Sequence, residues 1–142
     1  MAQKYLEEAL RWMGTKEIKG AVANPDIIKF DSYTSLKATS DEVPWCSAFA
    51  NYVVEVSGDK GTNSAAARSW LDWGKYQSKP TPGCIVIIDR KDKDNPNAAH
   101  VGFYVCDGTR VDTINVIGGN QGDMVKTSVY EKCKVLGYRD NP

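Results

Sequence analysis

Residues 44–56 read PWCSAFANYVVEV and carry the clearest helix pattern in the chain. Its apolar positions follow the i, i+3, i+4, i+7 period of one helix face: Phe49, Tyr52, Val53 and Val56. Pro44 suits a first helical position, and Ser57-Gly58 supplies a stop. Cys46 therefore falls in the first turn, where unpaired backbone N–H groups and the positive end of the helix dipole lower the pKa of a thiol.

Other helical patterns lie on both sides of this stretch. Apolar spacing over residues 2–13 predicts an amphipathic helix that Gly14 ends. Residues 25–30 form a shorter candidate with Pro25 in its first turn, and residues 64–73 a further one. The first half of the chain is therefore predicted to be helical.

Beyond Pro80 the pattern changes to short β-rich runs. Pro82-Gly83 marks a turn, and the runs that follow are predicted to be strands: 84–88, 100–105, 113–117, 125–130 and 134–138. Helices followed by strands indicate an α+β domain with a roughly five-stranded antiparallel sheet.

Composition describes an ordinary globular chain with no net charge. The 142 residues are 42% hydrophobic, and 18 basic side chains balance 18 acidic ones. This length predicts one domain over residues 1–142, and the charge balance predicts no nucleic-acid partner. Acidic Glu7 and Glu8 stand where a signal peptide is apolar, and no apolar run approaches the ~18 residues of a membrane span. We expect a chain made in the cytoplasm without a leader and without membrane insertion.

The cysteines and the single histidine limit the chemistry that is available. Four scattered cysteines do not make a disulfide scaffold, and one histidine argues against structural zinc. Cys84 and Cys106 lie in apolar runs and are interpreted as small buried side chains. Cys46 remains as the candidate nucleophile.

The histidine, His100, opens the predicted strand 100–105 and is the one imidazole that could serve Cys46 as a base. A thiolate attacks a carbonyl, and a base passes the proton to the leaving amine. A third polar group must then hold the far nitrogen of the ring. Amides around Cys46 are candidates for an oxyanion site.

Two asparagines compete for that third role. If Asp107-Gly108 forms a two-residue turn, His100 falls opposite Asn115. If the connection runs from Asp107 to about Asp112, His100 moves towards Gly118 and Gly119, and Asn120 stands beside it. The complete strand pattern over residues 113–117 favours the longer loop and Asn120, while adjacent Gln121 is expected to orient substrate.

Six blocks of the chain together resemble the small CHAP and NlpC/P60 peptidoglycan hydrolases, in the subgroup found in phage lysins. They are DEVPWCSAF (41–49), AARSWLDWG (66–74), PGCIVI (82–87), HVGFYV (100–105), GGNQGD (118–123) and LGYR (136–139). The resemblance implies a papain-like fold in which Cys46, His100 and Asn120 are the catalytic residues. It implies cleavage of amide bonds in peptidoglycan, by an N-acetylmuramoyl-L-alanine amidase or a stem-peptide endopeptidase, without a cofactor.

The resemblance also bears on ligands. Some CHAP domains hold calcium through an acidic loop before the cysteine, which Asp41-Glu42 alone does not reproduce, so we predict no metal. Trp45, beside the nucleophile, and Tyr104 are expected to contact substrate through their aromatic faces, as Gln121 is through its amide. The pair Trp70 and Trp73, three residues apart, is interpreted as core.

The biological setting favoured by the resemblance is a monomeric, bacteriolytic phage endolysin that reaches the wall through a holin. A secreted antibacterial amidase toxin, with an immunity protein as partner, and a catalytically silent wall-binding module are the alternatives. In each case peptidoglycan is the expected partner.

Overall fold

A computed structural model describes residues 3–16, 24–34, 45–91, 93–96 and 98–142. The helices of these residues come first: α1 (Gln3–Leu10), α2 (Pro25–Asp31), α3 (Cys46–Val56) and a 3₁₀ helix (Ala67–Asp72). The strands are β1 (Lys75–Gln77), β2 (Ile85–Asp89), β3 (Ala99–Asp107), β4 (Thr113–Gln121), β5 (Met124–Glu131) and β6 (Val135–Asp140), with a 3₁₀ turn (Lys132–Lys134) before β6.

The strands form one sheet in the order β1-β6-β2-β3-β4-β5, and every neighbouring pair is antiparallel. The predicted α+β class and antiparallel sheet are confirmed, with six strands in the described residues rather than about five. The additional strand is β1, which pairs with the β6 edge through only three residues. Lys75 and Tyr76 are exposed there, so the segment lacks the apolar alternation that predicts a strand.

Helix α3 packs against β3 and β4 and is the centre of the core. Nine of its eleven residues are buried. A helix that is buried on most of its surface needs mostly apolar residues, as this stretch has. Phe49 on α3 contacts Phe103 on β3 edge to face, with 6.4 Å between the two ring centroids. The first turn of α3 is thereby fixed over the start of β3 and the end of β4.

The first helix ends earlier than predicted. It runs to Leu10 and not to residue 13, because Arg11–Gly14 form a turn in which Gly14 has a φ of 90°. The N–H of Gly14 then donates to Val125 O at 2.8 Å, which ties this segment to β5. The predicted second helix is extended by one residue, to Asp31, and the side chain of Asn24 caps it.

The predicted helix over residues 64–73 is replaced by a shorter 3₁₀ helix. Side chains of α3 bind the backbone just before it: Asn51 Oδ1 accepts from the N–H of Asn63 at 2.9 Å, and Ser47 Oγ donates to Ser64 O at 2.7 Å. These backbone groups are engaged outside any helix, so helical structure starts only at Ala67.

The cysteines are all free thiols. Cys46 and Cys84 are buried, but Cys106 is exposed, so its interpretation as a buried side chain is wrong. Cys106 lies near the end of β3, where the strand runs into the exposed loop that leads to β4.

Candidate active site

Cys46 is the first residue of α3, and only 7% of its surface is exposed. Its N-cap residue, Trp45, makes no side-chain cap, and the first N–H groups of a helix have no partner within the helix. The thiol therefore lies beside backbone donors and the positive end of the helix dipole, as the sequence predicts. Pro44, the expected first helical residue, lies outside the described residues.

His100 faces Cys46 from the start of β3. Burial opposes ionisation of the Cys46 thiol, but the charge and hydrogen bond of His100 and the N–H of Val101 outweigh it, and Arg90 adds a weaker attraction. The pKa of Cys46 is consequently lowered from its ordinary value. The histidine is 7% exposed, so the pair is largely shielded from water.

The far nitrogen of His100 contacts the amide of Gln121. His100 Nε2 lies 2.8 Å from Gln121 Oε1. The amide Nε2 of Gln121 donates to two backbone carbonyls, Val116 O at 3.1 Å and Lys126 O at 2.5 Å. These two acceptors require the NH₂ end of the amide, so its oxygen is left facing the histidine.

This orientation selects one tautomer of the imidazole. An amide oxygen only accepts hydrogen bonds, so His100 Nε2 carries the hydrogen in the neutral ring. Nδ1 is then the basic nitrogen and is left for Cys46. The arrangement is that of a thiol, a base and a group that orients the base.

Tyr130 on β5 completes the surroundings of the histidine. Its ring stacks on that of His100 with centroids 5.6 Å apart, and its hydroxyl donates to Gln121 Oε1 at 3.1 Å. Burial, with the nearby Cys46, raises the pKa of Tyr130 to about 12, so the hydroxyl stays a donor. Sequence reasoning missed this residue, because strand alternation alone does not indicate which side chain of β5 reaches the histidine.

The predicted longer connection between β3 and β4 is present, but the side chain that contacts His100 is that of Gln121 and not that of Asn120. The strands end at Asp107 and restart at Thr113. Asn115 pairs with Cys106 near the opposite end of β3. Asn120 lines the groove beside His100 and, within the described residues, has no hydrogen bond to it.

A bulge in β4 accounts for this one-residue difference. The β4–β5 register shifts between Gly118 and Gln121, and Asn120 takes a φ of 56°. A Cβ on Gly118 would lie 3.3 Å from His100 Nε2, whereas one on Gly119 would collide with Trp45 on the core side. Regular alternation would return Asn120 to the His100 face, and the extra residue of the bulge brings Gln121 there instead.

The two aromatic residues expected to contact substrate lie away from the groove. Trp45 is fully buried and stacks on Phe30 with centroids 6.2 Å apart, so its ring is part of the core. Tyr104 is four residues along β3 from His100, about 13 Å in an extended strand. Its hydroxyl donates to Asp107 at 2.7 Å.

A groove of about 340 Å³ opens on the His100 side of the pair. Asn120, Gln121 and Tyr130 line it together with the cations Arg90 and Lys126. The wall of the groove is polar, and the imidazole of His100 forms part of it. Such a groove suits a polar substrate.

A family model described as the CHAP domain matches residues 38–120, more than half of the chain. The chain belongs to the CHAP family. A comparison with curated protein sequences gave no match.

CHAP domains are generally hydrolases of peptidoglycan, so membership indicates amidase or peptidase activity with peptidoglycan as the substrate. The matched part of this CHAP domain contains Cys46, His100 and Asn120 and ends one residue before Gln121. The resemblance drawn from the sequence blocks is confirmed at the level of this family.

The described residues also bear on membrane spans and metal sites. None of the helices described here is both long and apolar enough to span a membrane. In the same ranges, no three or more histidine, cysteine, aspartate or glutamate side chains are grouped as metal ligands. The prediction that there is no calcium site rests on Asp41 and Glu42, which lie outside the described residues.

Proposed function

We propose that this domain is a cysteine amidase or endopeptidase of peptidoglycan, with Cys46 as nucleophile, His100 as base and acid, and Gln121 as the residue that orients the imidazole. The observation that carries the proposal is the continuous chain of contacts from Cys46 through His100 to Gln121. It assigns to Gln121 the role that the sequence suggested for Asn120.

The reaction begins with proton transfer from the Cys46 thiol to His100 Nδ1. The thiolate adds to the carbonyl carbon of the scissile amide, and the first N–H groups of α3 are the donors nearest to the oxyanion that forms. His100 then gives its proton to the amine nitrogen as the C–N bond breaks, which leaves a thioester on Cys46. A water molecule deprotonated by His100 hydrolyses the thioester and releases the carboxylic acid.

Gln121 and Tyr130 support these steps without exchanging protons. The amide oxygen of Gln121 holds Nε2–H, so Nδ1 stays directed at the thiol throughout the cycle. The stacked Tyr130 ring restricts rotation of the imidazole about its own axis.

Hydrolysis of purified peptidoglycan by substituted proteins tests the proposal. Cys46→Ala removes the nucleophile and should lower the rate on the order of 10³-fold or more, as nucleophile deletions do in comparable triads. Cys106→Ser is the matched control, because this exposed thiol is remote from His100, and it should retain the full rate. Wall hydrolysis that survives in Cys46→Ala protein contradicts the mechanism.

We further propose that the biological role of the protein is that of a phage endolysin, and this proposal rests on the sequence blocks alone. Expression with a membrane-pore-forming holin should then lyse cells, and expression without one should not. Lysis that requires export to the periplasm and is blocked by a co-expressed immunity protein supports the toxin alternative. A silent wall-binding module is disfavoured by the lowered pKa of Cys46, which binding alone does not need.

A further inference from the structure

The groove beside His100 has an excess of positive charge. Four charged side chains line it: Asp89, Arg90, Lys126 and Lys134. Two of them are paired with neighbours, since Lys91 Nζ lies 3.6 Å from Asp89 Oδ2 and Lys134 Nζ lies 3.6 Å from Glu131 Oε1. The remaining two side chains, Arg90 and Lys126, are both cationic.

The side chains of Arg90 and Lys126 have neither a hydrogen bond nor an ion pair with any residue in the described ranges. Arg90 lies close enough to Cys46 to help lower its pKa, behind the larger effects of burial, His100 and Val101. Lys126, on β5, also lines the groove. Two unpaired cations therefore border the space next to the reacting groups.

The fold keeps the Lys126 ammonium in this position. Lys126 alternates with Ser128 and Tyr130 along one face of β5, and all three line the groove. The turn residue Gly122 lies beside the ammonium, and a Cβ there would be only 2.9 Å from Lys126 Nζ. A glycine at this turn thus leaves room for the charged group.

We infer that this groove binds a free carboxylate of the substrate, so that the enzyme selects stem peptides with an ionised carboxyl group close to the scissile amide. The inference rests on the proposed function and names its substrate class. A bound carboxylate would accept from Arg90 and from Lys126 and would neutralise both. The anion must belong to the same molecule as the amide at Cys46, and a peptide can carry such a carboxylate on an acidic side chain or at its C-terminus.

Binding to protein with Cys46→Ser tests the inference separately from catalysis. The probes are two soluble muramyl stem peptides, identical except that the carboxylates of one are replaced by primary carboxamides in the other. Calorimetric titration should show the carboxylate peptide bound about 10-fold more tightly, because charge-assisted hydrogen bonds to two cations are lost in the carboxamide. Adding Lys126→Gln or Arg90→Gln should remove most of this preference.

Matched controls are Lys75→Gln on the edge strand β1 and Arg110→Gln in the β3–β4 loop, both exposed and outside the groove. Both should keep the preference of the parent protein. Equal binding of the two peptides, binding of neither at millimolar concentration, or a preference unchanged by both groove substitutions overturns the inference.

Hydrolysis of the same peptides by protein with intact Cys46 is measured in parallel. Cleavage of both peptides at the same rate together with equal binding leaves the proposed function standing and refutes the carboxylate site. Failure to cleave either peptide refutes the proposed function, and the binding comparison still decides whether the groove selects carboxylates.

Discussion

At the residue scale, the thiol of Cys46 is distinguished from the other cysteines by its surroundings. Its pKa is lowered against the effect of burial, chiefly by His100, whereas burial raises the pKa of Cys84 to about 11. Alkylation requires the thiolate, so these opposite shifts should separate the two thiols in reactivity.

We therefore predict that iodoacetamide modifies Cys46 with a pH midpoint below the ~8.5 of an ordinary thiol. Replacing His100 with Ala should move that midpoint upward, because the charge that favours the thiolate is lost while burial remains. Residue-resolved mass spectrometry over pH 5–10 measures both midpoints, with the exposed Cys106 and Cys133 as internal references. An unchanged midpoint in the His100→Ala protein would show that the imidazole does not activate the thiol.

The identity of the orienting residue gives a second prediction. Gln121→Leu should lower kcat on the order of 100-fold, since misplacement of a catalytic group by about 1 Å has effects of this size. Gln121→Glu should also be impaired, because a carboxylate cannot donate to Val116 O and Lys126 O as the amide does.

The comparison variant is Asn120→Gly, which removes the side chain and tolerates the φ of 56° at this position. It should retain most of kcat in assays of the same substrate. A severe loss in Asn120→Gly with full activity in Gln121→Leu would restore the sequence-based choice of Asn120.

At the element scale, sequence patterns predicted the helices and strands better than their ends or the face of each side chain. The period of residues 44–56 and the strand patterns around His100 depend on burial, which is regular along an element. The bulge at Gly118–Gln121 depends on a local backbone conformation at Asn120, for which the sequence carries no strong signal. The nucleophile and base were therefore predictable, and the third residue was predicted one position away.

The link between α3 and the segment before the 3₁₀ helix is a prediction at this scale. Ser47 Oγ donates to Ser64 O at 2.7 Å and accepts from the indole N–H of Trp70 at 2.9 Å, and both side chains are buried. Ser47→Ala should lower the free energy of unfolding by about 1–3 kcal/mol, because the buried indole N–H of Trp70 loses its acceptor.

Urea denaturation measures this change, and Ser57→Ala, at the far end of α3, is the control. Ser57 has no side-chain hydrogen bond in the described residues, so its replacement should change stability by less than about 0.5 kcal/mol. Similar effects of the two substitutions would mean that the buried link contributes little.

At the scale of the whole molecule, Asp59 joins the N-terminal helix to the end of α3. Lys4 Nζ lies 2.8 Å from Asp59 Oδ2, and the Tyr5 hydroxyl donates to the same oxygen at 2.5 Å. The bond to Lys4, with that from Tyr5, lowers the pKa of Asp59 in the folded protein.

A carboxyl whose pKa is lower when folded stabilises the protein above its unfolded pKa of ~3.9, and this stabilisation is lost as the pH falls through the folded pKa. Asp59→Asn should thus reduce the free energy of unfolding at pH 7 by at most about 1 kcal/mol, since the group is near the surface. The difference from the parent protein should shrink below pH ~4. Urea unfolding at pH 7 and pH 3 measures this difference. The control is Asp72→Asn at an exposed position, which should leave the free energy of unfolding unchanged at both pH values. A loss of stability in Asp59→Asn that is the same at both pH values would exclude the ion pair as the origin of that loss.

The whole chain contains a single histidine, and it is the one that contacts Gln121. Every imidazole signal in a ¹⁵N-labelled NMR spectrum of this protein therefore arises from one known ring, without assignment experiments. The chemical shifts of the two ring nitrogens report directly which of them is protonated. The protonation of His100 can thus be followed in the resting enzyme, during substrate binding and across a pH titration by watching one pair of resonances.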